Sequence, residues 1–196
     1  MHATEVSPER ARALEYLTVR AEGMSAREIW ARVRAAVVDV DAALQGVDAQ
    51  AARAAVPAGQ WNIAQVVDHV AQTTIRVAEE LRHLLEGRRP PGPPVYDALT
   101  SGAAQWAPWP DLQEGLRSAN AEVDALLGRA MEREPSTAVT ARTILVFNRT
   151  RPDGGVEPET FEVELHWKGY AMVQRLHLLD HRTQIRALRT EGERRS

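Results

Sequence analysis

A chain of 196 residues, 44% hydrophobic and 26% charged, has the composition of an ordinary globular protein with room for a filled core. A formal net charge of −3 provides no cationic footprint for nucleic acid, and no apolar run approaches the length of a membrane span or of a signal-peptide core. The absence of cysteine removes disulfides and a protein thiol nucleophile, so the expectation is one cytoplasmic domain over 1–196, with its core at about 25–190 and a flexible tail at 191–196.

Ser7-Pro8-Glu9 reads as a helix start, with proline at the first helical position and an acid in the first turn; a short helix then runs to about Arg20 and breaks near Gly23. Ser25-Ala26-Arg27-Glu28 is a capping box. Ile29, Trp30, Val33, Val37, Val40 and Leu44 follow at intervals of three and four, which predicts an amphipathic helix ended by Gly46. Asn62, with Gln65 three residues on, opens the next helix. Its stripe is Ile63, Val66, Val67, Val70, Val77 and Leu81, and His69 lies on the flank, about 100° from the stripe centre.

Gly87 ends that helix, and a long connection over 88–110 follows, carrying Pro90, Pro91, Pro93, Pro94, Pro108 and Pro110 with Trp106 and Trp109. A connection of this length is either a lid over a pocket or a cap on the end of the core. Asp111-Leu112-Gln113-Glu114 predicts the start of a third long helix to about Glu132. The period then changes to two: Thr143–Asn148 and the alternating Phe161, Val163 and Leu165 flank the turn-forming Arg151–Gly155, which reads as a hairpin. The last helix is expected to begin at Lys168 or Gly169. Four main helices with a hairpin excursion between the third and fourth suit an all-α, antiparallel bundle.

The most informative stretch is Gln174–Leu188. His177 and His181 are four apart and share a helix face with Tyr170, Val173, Gln184, Ile185 and Leu188, while Arg175, Arg182 and Arg186 fall on the opposite side. Two inward imidazoles need partners, either buried carbonyl or carboxylate groups or one divalent metal. His166, if the helix continued that far, would share the face about 16 Å away, too far to join the same ion. His2 and His83 read as surface residues. Asp68 and Asp180 diverge from their histidine neighbours by about 100° and are not expected as ligands, although Asp180 could orient a ring.

Trp61, Asn62 and His69 (W-N-x-x-x-x-x-x-H), followed by His177, His181, Arg182 and Gln184 (H-x-x-x-H-R-x-Q), resemble the DinB/YfiT-like superfamily. The resemblance, over roughly 25–190, implies a four-helix bundle of unusual connectivity. It also implies a divalent metal, zinc or nickel, held by His69, His177 and His181, with Gln184 as the outer partner of a ligand. It implies a small-molecule substrate and either S-transfer from an external low-molecular-weight thiol or hydrolysis, the alternative being a non-catalytic, metal-binding stress-response module. A homodimer formed through helix faces bearing Trp30 and Leu179, with no nucleic acid or membrane partner, completes these expectations. Thr183 stands where such proteins often carry glycine, which would alter close helix packing there.

Overall fold

The computed structural model describes residues 7–150 and 155–195; His2 and Arg151–Gly154 of the expected hairpin turn lie outside them. Helix α1 (Pro8–Glu15) is capped by Ser7 and passes into a wider π-helical segment, Tyr16–Arg20. α2 (Ala26–Leu44) and α4 (Ile63–Leu85) both start at complete capping boxes, Ser25 with Glu28 and Asn62 with Gln65. A single turn, α3 (Ala49–Ala52), lies between them. Then come α5 (Trp109–Glu132), the antiparallel strands β1 (Thr140–Thr150) and β2 (Val156–His166), and α6 (Trp167–Arg195).

α2 packs on α5 and α6, and α4 packs on the same two helices, which puts α2 and α4 on one diagonal of the bundle and α5 and α6 on the other. The chain therefore crosses a diagonal twice. The hairpin makes the second crossing and enters α6 without a break. Its register pairs Ala141 with Leu165 and Leu145 with Phe161, so these four buried residues share the face laid on the helices.

Two expected element starts and the expected exposure of three side chains are corrected. α5 begins at Trp109, not at an Asp111 capping box: Pro108 is the N-cap, Pro110 occupies the first turn, and Trp109 is anchored by its Nε1–H donating to Val47 O at 2.8 Å. α6 begins at Trp167, so His166 ends a strand, where its Nδ1 accepts from Gly169 N–H at 3.2 Å. Of the three arginines expected on a solvated face, only Arg186 is exposed. Arg182 is half-buried against Asp39 at 2.8 Å and Arg175 donates to Tyr16 Oη at 3.1 Å, because α6 is packed on two sides. His83, expected at the surface, is half-buried with its Nδ1 enclosed.

Gly169 has a steric reason. A Cβ there would lie 2.2 Å from Leu17 O, so only glycine lets α6 approach the π-helical segment this closely. Beside it the single lysine, Lys168, is buried and donates to Met24 O at 2.7 Å and Glu22 O at 3.2 Å, tying α6 to the turn before α2.

The buried apolar residues form two clusters. One gathers Leu17, Ile29, Leu81, Leu126, Trp167 and Met172; the other gathers Val40, Val67, Val70, Leu112, Leu116 and Leu178. On α4 the break falls between Val70 and Val77, on α5 between Leu116 and Val123, and on α6 between Met172 and Leu178. Buried Thr74, Asn120 and Gln174 occupy those gaps, with Gln174 Nε2–H donating to Thr74 Oγ1 at 2.8 Å. The candidate site lies beside this polar layer, with His177 one turn after Gln174.

Candidate metal centre

His69 comes from α4 and His177 and His181 from α6, two helices that are neighbours in the bundle. The Nε2 atoms of His69 and His181 each lie 3.0 Å from His177 Nε2, and one nitrogen of each ring falls within 4.8 Å of the others. The partners of the outer nitrogens decide whether this cluster fits a metal ion.

His69 Nδ1 lies 2.8 Å from Leu99 O. A carbonyl only accepts, so Nδ1 carries the proton and Nε2 turns a bare lone pair inward. His181 Nδ1 lies 2.8 Å from Gln184 Oε1 with the same consequence. His177 Nδ1, however, is buried with no hydrogen-bond partner. A proton on His177 Nε2 satisfies only one of the two lone pairs facing it and leaves Nδ1 an orphaned acceptor. A proton on Nδ1 leaves three lone pairs facing one another. Adding a second proton would place a charge where burial, helped by the neighbouring His181 and His69, holds the His177 pKa well below its ordinary value near 6.5. One cation among the three Nε2 atoms removes the conflict. A tetrahedral zinc with nitrogens at about 2.0–2.1 Å spaces them about 3.3 Å apart, so the 3.0 Å pairs would open by only a few tenths of an ångström.

Burial also favours the neutral form of all three rings, the form that a metal ligand needs. Burial lowers the pKa of His69 and of His181, outweighing the Leu99 carbonyl on the first and the Gln184 amide on the second. Trp61, just before the α4 cap, packs its ring 4.9 Å from the His69 ring and walls that side.

Asp68, set aside as a ligand, has another task. It is buried and accepts from Ser101 Oγ–H at 2.6 Å, Gly102 N–H at 3.1 Å and Ser101 N–H at 3.2 Å. Gly102 sits at φ 76° and opens a 3-10 turn, Ala103–Gln105. Asp68 thus clamps the chain two residues after Leu99, whose carbonyl fixes the His69 tautomer. Sequence reading missed this pair because a backbone acceptor has no residue signature; the Ser-Gly dipeptide was the only trace. Asp180 is exposed, and Gln184 takes the orienting position on His181 instead.

The histidines open onto a cleft of about 820 Å³ walled by α1, α4, α6, β1 and the 94–99 segment. The long connection therefore borders the pocket, but not through its tryptophans: Trp106 is 76% exposed and Trp109 is buried in the bundle, and neither lines the cleft. Buried Glu80, hydrogen-bonded by Tyr170 Oη–H and paired with Arg76, lies farther along the same cleft.

A diagonal four-helix bundle with a histidine on its second long helix and an H-x-x-x-H pair on its last can now be set beside known proteins. A family profile described as the DinB superfamily matches residues 30–156. The chain belongs to the DinB superfamily. No curated protein and no solved structure matches it. The DinB match takes in Trp61, Asn62 and His69 but ends before His177 and His181, so the pair rests on the geometry above. No helix among the described residues is long and apolar enough to cross a membrane.

Proposed function

We propose that this DinB protein is a metal-dependent transferase that binds one divalent ion, zinc or nickel, through His69, His177 and His181 and uses an external low-molecular-weight thiol. The observation that carries the metal is the three-way meeting of Nε2 atoms, two of them lone pairs by the placement of their Nδ1 partners. Imidazole suits both ions, and three protein ligands leave positions open, the pattern of a catalytic rather than a structural site. The chemistry such an ion supplies is to lower the pKa of a thiol or water brought to those positions, giving a nucleophile near neutral pH.

The size of the cleft favours a thiol and its acceptor over water alone, because about 820 Å³ accommodates more than one small molecule. The chain has no cysteine, so the thiol comes from outside. In the transfer, sulfur forms a bond to the electrophilic carbon, its proton passes to solvent, and the leaving group departs with the bonding pair. The protein's part is positional. The Leu99 carbonyl and the Gln184 amide hold two ring tautomers, Trp61 shields His69, and the 94–99 segment lines one side of the cleft.

Elemental analysis of protein purified without chelators should give about one zinc or nickel per chain. His177→Ala and His181→Ala should each remove it, and metal retained at full stoichiometry in both would overturn the assignment. Thiol-dependent consumption of an electrophile by the loaded wild type, absent after chelation, tests the transferase step.

A further inference from the structure

The cleft also indicates what kind of molecule fills it. Eight large hydrophobic side chains are exposed among the described residues, and four of them, Val95, Tyr96, Val146 and Leu176, line this one cleft. They come from three separate parts of the chain: the 94–99 segment, β1 and α6. Scattered exposed hydrophobics need no explanation, but a cluster continuous with a concave site marks a binding surface. Inward of this rim the wall stays apolar, with Val77, Leu145 and Val173.

Five of the seven charged groups around the cleft are already engaged, and the other two, Asp97 and Asp180, are exposed to solvent. Glu80 is held by Tyr170 and Arg76, Arg12 pairs with Glu9 at 3.5 Å, and Arg142 pairs with Glu162 at 3.3 Å. The Tyr96 hydroxyl donates to Glu162 Oε2 at 3.0 Å, which leaves its ring as apolar lining. Unmet polar demand is concentrated in the three imidazoles and in Gln174 Oε1, a buried acceptor without a partner one turn before His177.

We propose that the cleft takes an amphipathic small molecule: one metal-seeking, hydrogen-bond-donating head at the histidines, and an elongated apolar body running along α6 toward Tyr170. Tyr170 precedes His177 by seven residues, so the cleft runs about 10 Å along α6 from the histidines to where Tyr170, Glu80 and Arg76 satisfy one another, room for head and chain together of roughly eight heavy atoms. This inference rests on the metal and thiol reading and narrows it to apolar substrates.

The test is titration calorimetry of zinc-loaded protein with straight-chain alkanethiols of increasing length, beside the matching alkanols, which carry the chain without the metal-seeking head. Affinity for the thiols should rise about fourfold per added methylene and level off at about eight heavy atoms, the sulfur included. Val95→Lys and Val146→Lys, both at the exposed rim, should flatten that rise while metal content is retained. Thiol binding with no dependence on chain length, or a slope unchanged in both rim variants, would overturn the inference and leave the thiol reading intact. Alkanols that bind more tightly with length, with no advantage for thiols, would support the apolar cleft and overturn the thiol reading instead.

Discussion

Asp68 is the residue whose removal best separates a structural carboxylate from one that serves the proposed metal centre. In Asp68→Ala three hydrogen bonds from Ser101 and Gly102 disappear. Bonds to a charged acceptor contribute about 1.5–3 kcal/mol each when fully buried. Ser101 is exposed, so water replaces part of the loss, and a destabilisation of about 2–4 kcal/mol is expected. The second effect follows from position. With the clamp gone, Leu99 O no longer stays 2.8 Å from His69 Nδ1, and the ring is free to present its N–H where a lone pair is needed. Losing an outer partner of a metal-bound histidine costs about 10–100-fold in affinity. Competition with a chromophoric zinc chelator, run well below the melting temperature of the variant, reads this directly. Hydrogen exchange over residues 94–102 shows whether the segment has loosened. Wild-type zinc affinity in a variant whose segment exchanges freely would refute the chain of cause from Asp68 through Leu99 to His69.

Three further outcomes are expected. Gln174→Leu should cost the metal-free protein about 0.5–1.5 kcal/mol in denaturant unfolding, because the buried hydrogen bond to Thr74 Oγ1 is lost; an unchanged unfolding midpoint would count against it. Metal-free protein should melt at lower temperature as the pH falls below about 6.5, because burial depresses the pKa of all three histidines in the fold while the unfolded chain protonates at the ordinary value, so stability is present above that value and lost on acidification through the folded-state values; melting temperatures flat between pH 7 and 5 would contradict this. Trp109→Ala should cost about 3–5 kcal/mol in denaturant unfolding and Trp106→Ala less than about 0.5 kcal/mol, since one ring is buried and bonded to Val47 O and the other lies in solvent.

Local chemistry was legible without the fold. Ser25 with Glu28 and Asn62 with Gln65 satisfy orphan N–H groups within four residues, so both helix starts are written where they occur. The period-two stretch around Phe161, Val163 and Leu165 announced a strand, and the i, i+4 spacing of His177 and His181 guaranteed one shared face on any helix. The start of α5 was misread because the prolines and the buried Trp109 outweigh a plausible cap at Asp111, and burial of Trp109 depends on Val47, 62 residues away.

What only the tertiary structure decided is which distant groups meet. The diagonal arrangement of α2 and α4 makes α4 a neighbour of α6 and brings His69 across 108 residues to within 3.0 Å of His177. Leu99 O and Asp68 became parts of the site through a backbone carbonyl and a clamp on Ser101 and Gly102, neither of which has a pattern in sequence. The physical reason is range. Caps and periodicity act within one or two turns of helix, whereas the tautomer of a ring and the lone pair it offers are set by whichever acceptor the packed chain places against its other nitrogen.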